Sequence, residues 1–193
     1  MNMFCFQCQE TARGTGCTVK GVCGKDPQTA AYMDVLLYAV RGIAIVNRTL
    51  REKGTADNEI DHFVLDALFC TITNANFDDE AIIVRIKKAF EIKNILVGTA
   101  KKRNIALPDM PEVAYFVSEE NYLAEAAEVG VLSEPNEDLR SLKQMVIYGV
   151  KGAAAYTEHA LNLGFEDHDI YAMIENALAE ISRSDISAEE LVF

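Results

Sequence analysis

The chain has 193 residues, half of them apolar and a quarter charged, with five cysteines, no tryptophan and a formal charge of -12. That is enough apolar material to bury a sizeable core as one large domain or two small ones, which argues against disorder. The acidity argues against nucleic acid or an anionic membrane surface as partner.

The charge is unevenly spread. Residues 1–26 carry Arg13, Lys20 and Lys25 against Glu10 and Asp26, so everything after them holds -13. Whatever this locally basic, cysteine-rich segment holds is expected to be anionic. Met1-Asn2-Met3 lacks a basic signal-peptide start, and Gln7, Gln9 and Glu10 interrupt any apolar run, so the expected location is cytoplasmic. In a reducing cytosol, clustered cysteines point to metal or redox chemistry rather than to structural disulfides.

After the cysteine segment the pattern turns helical. Asp26 and Pro27 make a helix entry, and the apolar pattern runs from there to Lys53, with Gly54 as the stop. Its most apolar span, Met33 to Val46, contains Asp34 and Arg41 and falls short of the ~20 residues a membrane helix needs, so it reads as a buried helix of a soluble fold. A second helix is predicted from about Asn58 to Thr73 and a third from about Asp78 to Lys102, followed by the break LPDMPE with Pro108 and Pro111. VAYFV, residues 113–117, is the single short β-branched and aromatic run, fit for an edge strand or an extended linker. A short helix is predicted from Glu119 to Val129, closed by Gly130, and Asn136 caps a long one that runs to Leu163 and stops at Gly164.

That long helix repeats the first. A shift of 110 positions places Tyr38, Val40, Arg41, Gly42, Ala44 and Gly54 on Tyr148, Val150, Lys151, Gly152, Ala154 and Gly164, and Ile60, Ala67 and Leu68 on Ile170, Ala177 and Leu178. Constant spacing over two helices predicts two copies of one three-helix unit. The expected architecture is all-α: a cysteine segment at 1–26, a three-helix bundle at 27–107, a linker with a short helix at 108–135 and a second bundle at 136–193. Ser187 with Glu190 reads as a capping box opening a third helix that ends after about two turns, so the chain is expected to be part of a longer protein.

Four cysteines lie within nineteen residues, spaced C-x2-C-x8-C-x5-C at Cys5, Cys8, Cys17 and Cys23. Gly14, Gly16, Gly21 and Gly24 let the backbone fold back so that four thiolates can reach one centre. Such a shell suits an iron-sulfur cluster or a structural zinc. The spacing is unlike a zinc ribbon, and Arg13, Lys20 and Lys25 would offset the charge of a cluster, so iron-sulfur is the first reading and zinc the second; uncoordinated redox thiols or disulfides come last. Cys70 reads as a core residue, and His62, His159 and His168 are scattered surface or core histidines. Arg41 and Lys151 sit amid apolar residues and are expected to pair with carboxylates. Phe4 and Phe6 either screen a cluster from water or seat the segment on the helices.

The opening MFCFQCQETARGTGCTVKGVCGK, residues 3–25, closely resembles the amino terminus of the hybrid cluster proteins, also called prismane proteins or hydroxylamine reductases. TITNANFDD at 71–79 and NEDLRSLKQMVIYGVKGAAAYTEHALNLGF at 136–165 match as well. The resemblance implies a helical first domain of two three-helix bundles with Cys5, Cys8, Cys17 and Cys23 binding the proximal cluster, which is 4Fe-4S in members with this spacing and 2Fe-2S in a differently spaced branch. It implies a catalytic iron-sulfur-oxygen hybrid cluster held by residues further downstream, reduction of hydroxylamine to ammonia, proposed nitric oxide reduction or protein nitrosylation, and an anaerobic or nitrosative-stress role. On this reading the chain is an electron-entry module without turnover of its own, and its partners are the remainder of the hybrid cluster protein and an external electron-donor reductase. The alternative is a zinc-stabilised helical scaffold or interaction domain without redox activity.

Overall fold

The computed structural model describes residues 3–8, 10–55, 57–72 and 75–192. The expected end of the second helix at Thr73, part of the 71–79 match, and the chain end at Phe193 lie outside the described residues, as do Met1, Asn2 and Gln9 of the leader reading.

Eight α-helices occur among the described residues: α1 (Pro27–Arg51), α2 (Asn58–Cys70), α3 (Asp79–Lys102), α4 (Pro111–Ala114), α5 (Tyr122–Val129), α6 (Glu137–Asn162), α7 (His168–Glu180) and α8 (Ala188–Val192). The fold is all-α, as expected. The 110-residue offset is visible in the bounds, since α2 shifted by 110 is α7 and the start of α1 falls on the start of α6. Local chemistry repeats with it. The side chains of Asp57 and Asp167 each accept the N–H two residues on, and the helices before them close alike, Thr55 N–H on Leu50 O and Phe165 N–H on Ala160 O, both 3.0 Å. That 6→1 closure needs a left-handed residue, supplied by Gly54 (φ 75°) and Gly164 (φ 82°). Ser187 and Glu190 form the expected capping box, Ser187 N–H to Glu190 Oε2 at 2.8 Å and Glu190 N–H to Ser187 Oγ at 3.2 Å.

α1 is the axis of the molecule. Val35, Leu36, Ala39, Val40, Ile43, Ala44 and Val46 point in different directions around it and are all buried, which is how a helix behaves when partners surround it. It is long and apolar enough to cross a membrane by composition, and 83% of its apolar window is covered by the protein's own helices. α1 packs against α3, α5, α4 and α7, and α2 packs along α6. The second helix of each copy therefore lies on the first helix of the other, and both copies contribute to one core, from Val64 and Leu68 to Ile174 and Leu178.

Residues 113–117 divide in two. Pro111 presets the first turn of α4, which takes in Val113 and Ala114, and only from Tyr115 is the chain extended. Lys93 holds this linker by donating to Glu112 O (2.8 Å) and to Tyr115 O, while Arg41 pairs with the Glu112 carboxylate. The linker crosses α1 so closely that a Cβ on Gly42 would lie 2.3 Å from Glu112 O.

Across the copies, two buried carboxylates share one guanidinium. Arg51 pairs with Asp61 and, at 2.9 Å, with Glu175, while Asn47 Nδ2 donates to Glu175 at 2.7 Å and to Asp61 at 3.2 Å. Burial pushes the Glu175 carboxyl from 4.5 up to about 7, with the Asn47 hydrogen bond opposing and Asp61 adding to the rise.

Two outcomes are expected. Gly42→Ala drives a methyl into a backbone carbonyl and costs about 1–3 kcal/mol, whereas Gly152→Ala, at the equivalent position with nothing within 4 Å, gains about 1 kcal/mol of helix propensity; thermal melts of both check the opposite signs. An acid with a raised folded-state pKa favours the fold when protonated, so the Glu175 contribution is full below pH 4.5 and is lost as pH rises through about 7. Glu175→Gln should flatten the stability profile across that window and melt higher than the parent above pH 7.

Candidate metal centre

Between Met3 and Asp26 the described residues form no α-helix and are shaped by turns. Cys5 and Cys17 exchange N–H···O bonds in both directions at 2.9 Å, an isolated antiparallel bridge that sets them side by side. The chain returns between them through a 3-10 turn at Ala12–Gly14, and Ala12 N–H donates to Cys17 Sγ at 3.4 Å. Gly16 has φ 126°, and a Cβ there would stand 2.6 Å from the Phe4 ring, so only glycine fits. A second turn, Gly21 N–H to Lys25 O and Gly24 N–H to Gly21 O, both 2.8 Å, brings Cys23 back. All five cysteines are free thiols; Cys5, Cys17 and Cys70 are buried, Cys8 and Cys23 half-buried. Burial pushes the Cys5 thiol up to about 11.

The segment has a small core of its own, Met3, Cys5 and Cys17 against Ala30 of α1. The rest of its hold comes from α6. Tyr148 Oη donates to Phe6 O (2.8 Å) and Cys8 O (3.3 Å), its ring meets Phe6 at 5.6 Å, and Phe4 stacks on Phe6 at 6.4 Å. Both phenylalanines thus seat the segment on the bundle. One turn further on, Lys151 donates to Gln7 Oε1 and, at 3.5 Å, to Gln7 O, while Gln7 Nε2 donates to Asp34 Oδ1 on α1 at 2.5 Å.

Lys25 is the other cation of the site. It is 1% exposed, and its ammonium donates to Thr71 O and Ile72 O, both 3.3 Å. Burial lowers its pKa, and the thiols of Cys5, Cys23, Cys8 and Cys70, in that order, pull it back up. Among the described residues no carboxylate lies within ion-pair distance of Lys25 or Lys151. A buried ammonium without a counter-anion is costly; the acidic neighbours both lysines share are the Cys5 and Cys70 thiols, and Asp34 acts on Lys151 besides.

Of the four predicted ligands, the backbone pairs Cys5 with Cys17, and Cys5, Cys8 and Cys23 lie within the field of the Lys25 ammonium. Among the described residues no three Cys, His, Asp or Glu donors are drawn into a closed metal shell. The donor chemistry nonetheless fits a thiolate-bound anionic group: four free thiols in one turn-built segment, three of which, Cys5, Cys8 and Cys23, lie within the field of a buried ammonium, Lys25, that has no carboxylate in ion-pair contact among the described residues.

Several expectations are refined. Of the three basic residues expected beside the thiols, Lys25 is there, whereas Lys20 pairs with Asp26 at the surface and Arg13 is exposed. Arg41 pairs with a carboxylate as expected, but Lys151 does not, because the Cys5–Cys8 turn occupies the place that the linker takes beside Arg41. Cys70 is a core residue whose thiol donates to Ala67 O at 3.3 Å, though it lies within reach of the field of Lys25. His62 contacts Glu166 at 3.2 Å, and His159 and His168 pack edge-on to Phe69 and Tyr171. Sequence reasoning missed Gln7, Asp34 and Tyr148; the recurring Tyr-x-x-basic spacing was the available signal for Tyr148.

An all-α domain with a four-thiol segment clamped to its bundle is the class that this fold and site define. Residues 3–193 match the Prismane/CO dehydrogenase family, and the chain belongs to that family. It is similar to proteins named hydroxylamine reductase from Bacteroides thetaiotaomicron (54% identical over 192 residues), Bacteroides fragilis (50% over 193) and Desulfitobacterium hafniense (45% over 195). Each of these alignments covers 100% of this chain and 35–36% of the relative, so the chain spans about a third of the length of the curated relatives it matches.

Tyr148→Phe removes the hydroxyl that ties carbonyls 6 and 8 to α6. A loss of about 1 kcal/mol is expected, with faster amide exchange at Cys5 and Cys17 and unchanged exchange in α1, read by hydrogen-deuterium exchange.

Proposed function

We propose that Cys5, Cys8, Cys17 and Cys23 hold a 4Fe-4S cluster and that the chain is the electron-entry module of a hydroxylamine-reductase-like hybrid cluster protein. The observation that carries the reading is the buried Lys25 ammonium, which donates to carbonyls 71 and 72, lies within the field of Cys5, Cys8 and Cys23 and, among the described residues, has no carboxylate in ion-pair contact. A thiolate-ligated cluster is a net anion, and cations and amide donors around its sulfurs set its potential. When bound, such a cluster supplies a one-electron carrier.

The residues of this chain supply the setting. Cys5 and Cys17 are presented by a rigid backbone bridge, Cys8 by a turn whose carbonyl Tyr148 holds, and Cys23 by the Gly21–Lys25 turn. Lys25 and Lys151 lower the cost of additional negative charge among the sulfurs. Phe4 and Phe6 pack over the Tyr148 side of the segment and limit water there. The reaction itself, hydroxylamine to ammonia or a related reduction of nitric oxide under anaerobic or nitrosative stress, belongs on this reading to the remainder of the longer protein. Electrons come from an external reductase in the cytoplasm, and this chain alone does not turn over.

Anaerobic purification followed by iron, acid-labile sulfide and zinc analysis tests the reading. About four irons and four sulfides per chain are expected, with a visible chromophore lost in Cys17→Ser and kept in Cys70→Ser. A colourless protein with one zinc and no sulfide overturns the reading in favour of a zinc scaffold, and bleaching by Cys70→Ser overturns the ligand set.

A further inference from the structure

Lys151 is 3% exposed, and its partners are both on Gln7, the residue immediately before Cys8 in the Cys5–Cys8 turn. A long basic side chain on a helix face ordinarily snorkels or finds a carboxylate. Its repeat counterpart Arg41 does the latter with Glu112. Lys151 instead donates to the amide oxygen of Gln7, and the same amide donates through Nε2 to Asp34. Gln7 thus stands between ammonium and carboxylate, which are not in ion-pair contact, and Lys151 acts on the Cys5 thiol as well as on Asp34. The charged and titratable groups that act on it are Lys25, Asp34, Cys5 and Cys70, from three other elements of the fold.

We infer that Lys151, oriented by Gln7, is a positioning residue of the thiolate site: it pins the Cys5–Cys8 turn to α6 and raises the reduction potential of the cluster that the four cysteines hold. The inference rests on the iron-sulfur reading above. It follows from the geometry that the second copy of the repeat has turned its basic position from an ion-pair partner into a fixed counter-charge. An amide suits position 7 because its oxygen accepts from Lys151 while its nitrogen donates to Asp34. A carboxylate at position 7 would neutralise the lysine, and an apolar residue would leave it unsatisfied.

The test uses the anaerobically loaded 193-residue chain and four variants, with iron and sulfide content, the midpoint potential from a dithionite titration, and Tm as readouts. Lys151→Met, which removes the charge and keeps the stem, is expected to retain iron and sulfide and to shift the midpoint potential to more negative values. Lys151→Arg should restore it towards that of the parent. Lys88→Met removes the same charge from the surface of α3, where Lys88 is exposed, and should leave the potential unmoved. Should Lys151→Met lose its fold by Tm, Gln7→Met carries the test. It leaves every charge in place and is expected to retain the cluster with faster amide exchange over residues 5–8 and an altered potential. Loaded Lys151→Met with the parent potential, or Gln7→Met with parent exchange and potential, overturns the inference. Absence of iron and sulfide from the parent itself overturns the function instead, a result that no variant can mimic.

Discussion

The site depends on the hold that α6 takes on carbonyls of residues 6 to 8. A segment of some twenty residues with no α-helix among its described residues cannot bury enough surface to order itself, and the small cluster of Met3, Cys5, Cys17 and Ala30 supplies little. Tyr148 and Lys151, one helical turn apart, satisfy the backbone of the Cys5–Cys8 turn from outside. Glycines at left-handed or crowded positions then let the rest of the segment follow. Order in the thiol segment is thus borrowed from a helix 140 to 144 residues away in sequence, and the thiols have fixed places only where the bundle is formed.

That hold is a variation on the repeat. In the first copy, Tyr38 stands edge-on to Tyr115 and Arg41 pairs with Glu112, fastening the linker across α1. In the second, the same two positions fasten the cysteine turn across α6. One spacing of an aromatic and a cation at i and i+3 places both on one face of a helix, and each copy uses that face to dock an irregular segment. The glycine that follows records the difference, tightly covered at 42 and open at 152. The second helix of each copy crossing to the first helix of the other welds the pair into one core. Neither half is left to stabilise its docked segment alone.

Much of this was legible in the sequence. Helix bounds followed from Asp, Asn and Pro entries and Gly stops because those signals are local, and the repeat followed from its offset. The cysteine spacing named the candidate ligands, and the resemblance named the family. What was not legible was non-local. No sequence window shows that Gln7 reaches both Asp34 and Lys151, or that Lys25 is buried against carbonyls 71 and 72 while Lys20, five residues earlier, pairs at the surface. Lys151 was misread for the same reason, since its equivalence to Arg41 shows what position it occupies and not what lies opposite. The 113–117 run was split by Pro111, whose fixed φ outweighed the β propensity of its followers.

The distribution of charge connects the fold to its chemistry. The body is strongly acidic, yet the two cations most deeply placed near the thiols, Lys25 and Lys151, lie without a carboxylate in ion-pair contact. Each repels the other, and burial lowers the pKa of both. A fold tolerates such an arrangement when a compensating anion belongs there, because at low local dielectric an opposite charge among the sulfurs lowers the energy of both lysines at once. Among the described residues Asp34 is the carboxylate that acts on Lys151, and the amide of Gln7 bridges the two. The separation leaves Cys5 between opposing charges, with Asp34 disfavouring its thiolate and Lys25 and Lys151 favouring it, inside a protein whose overall charge is negative.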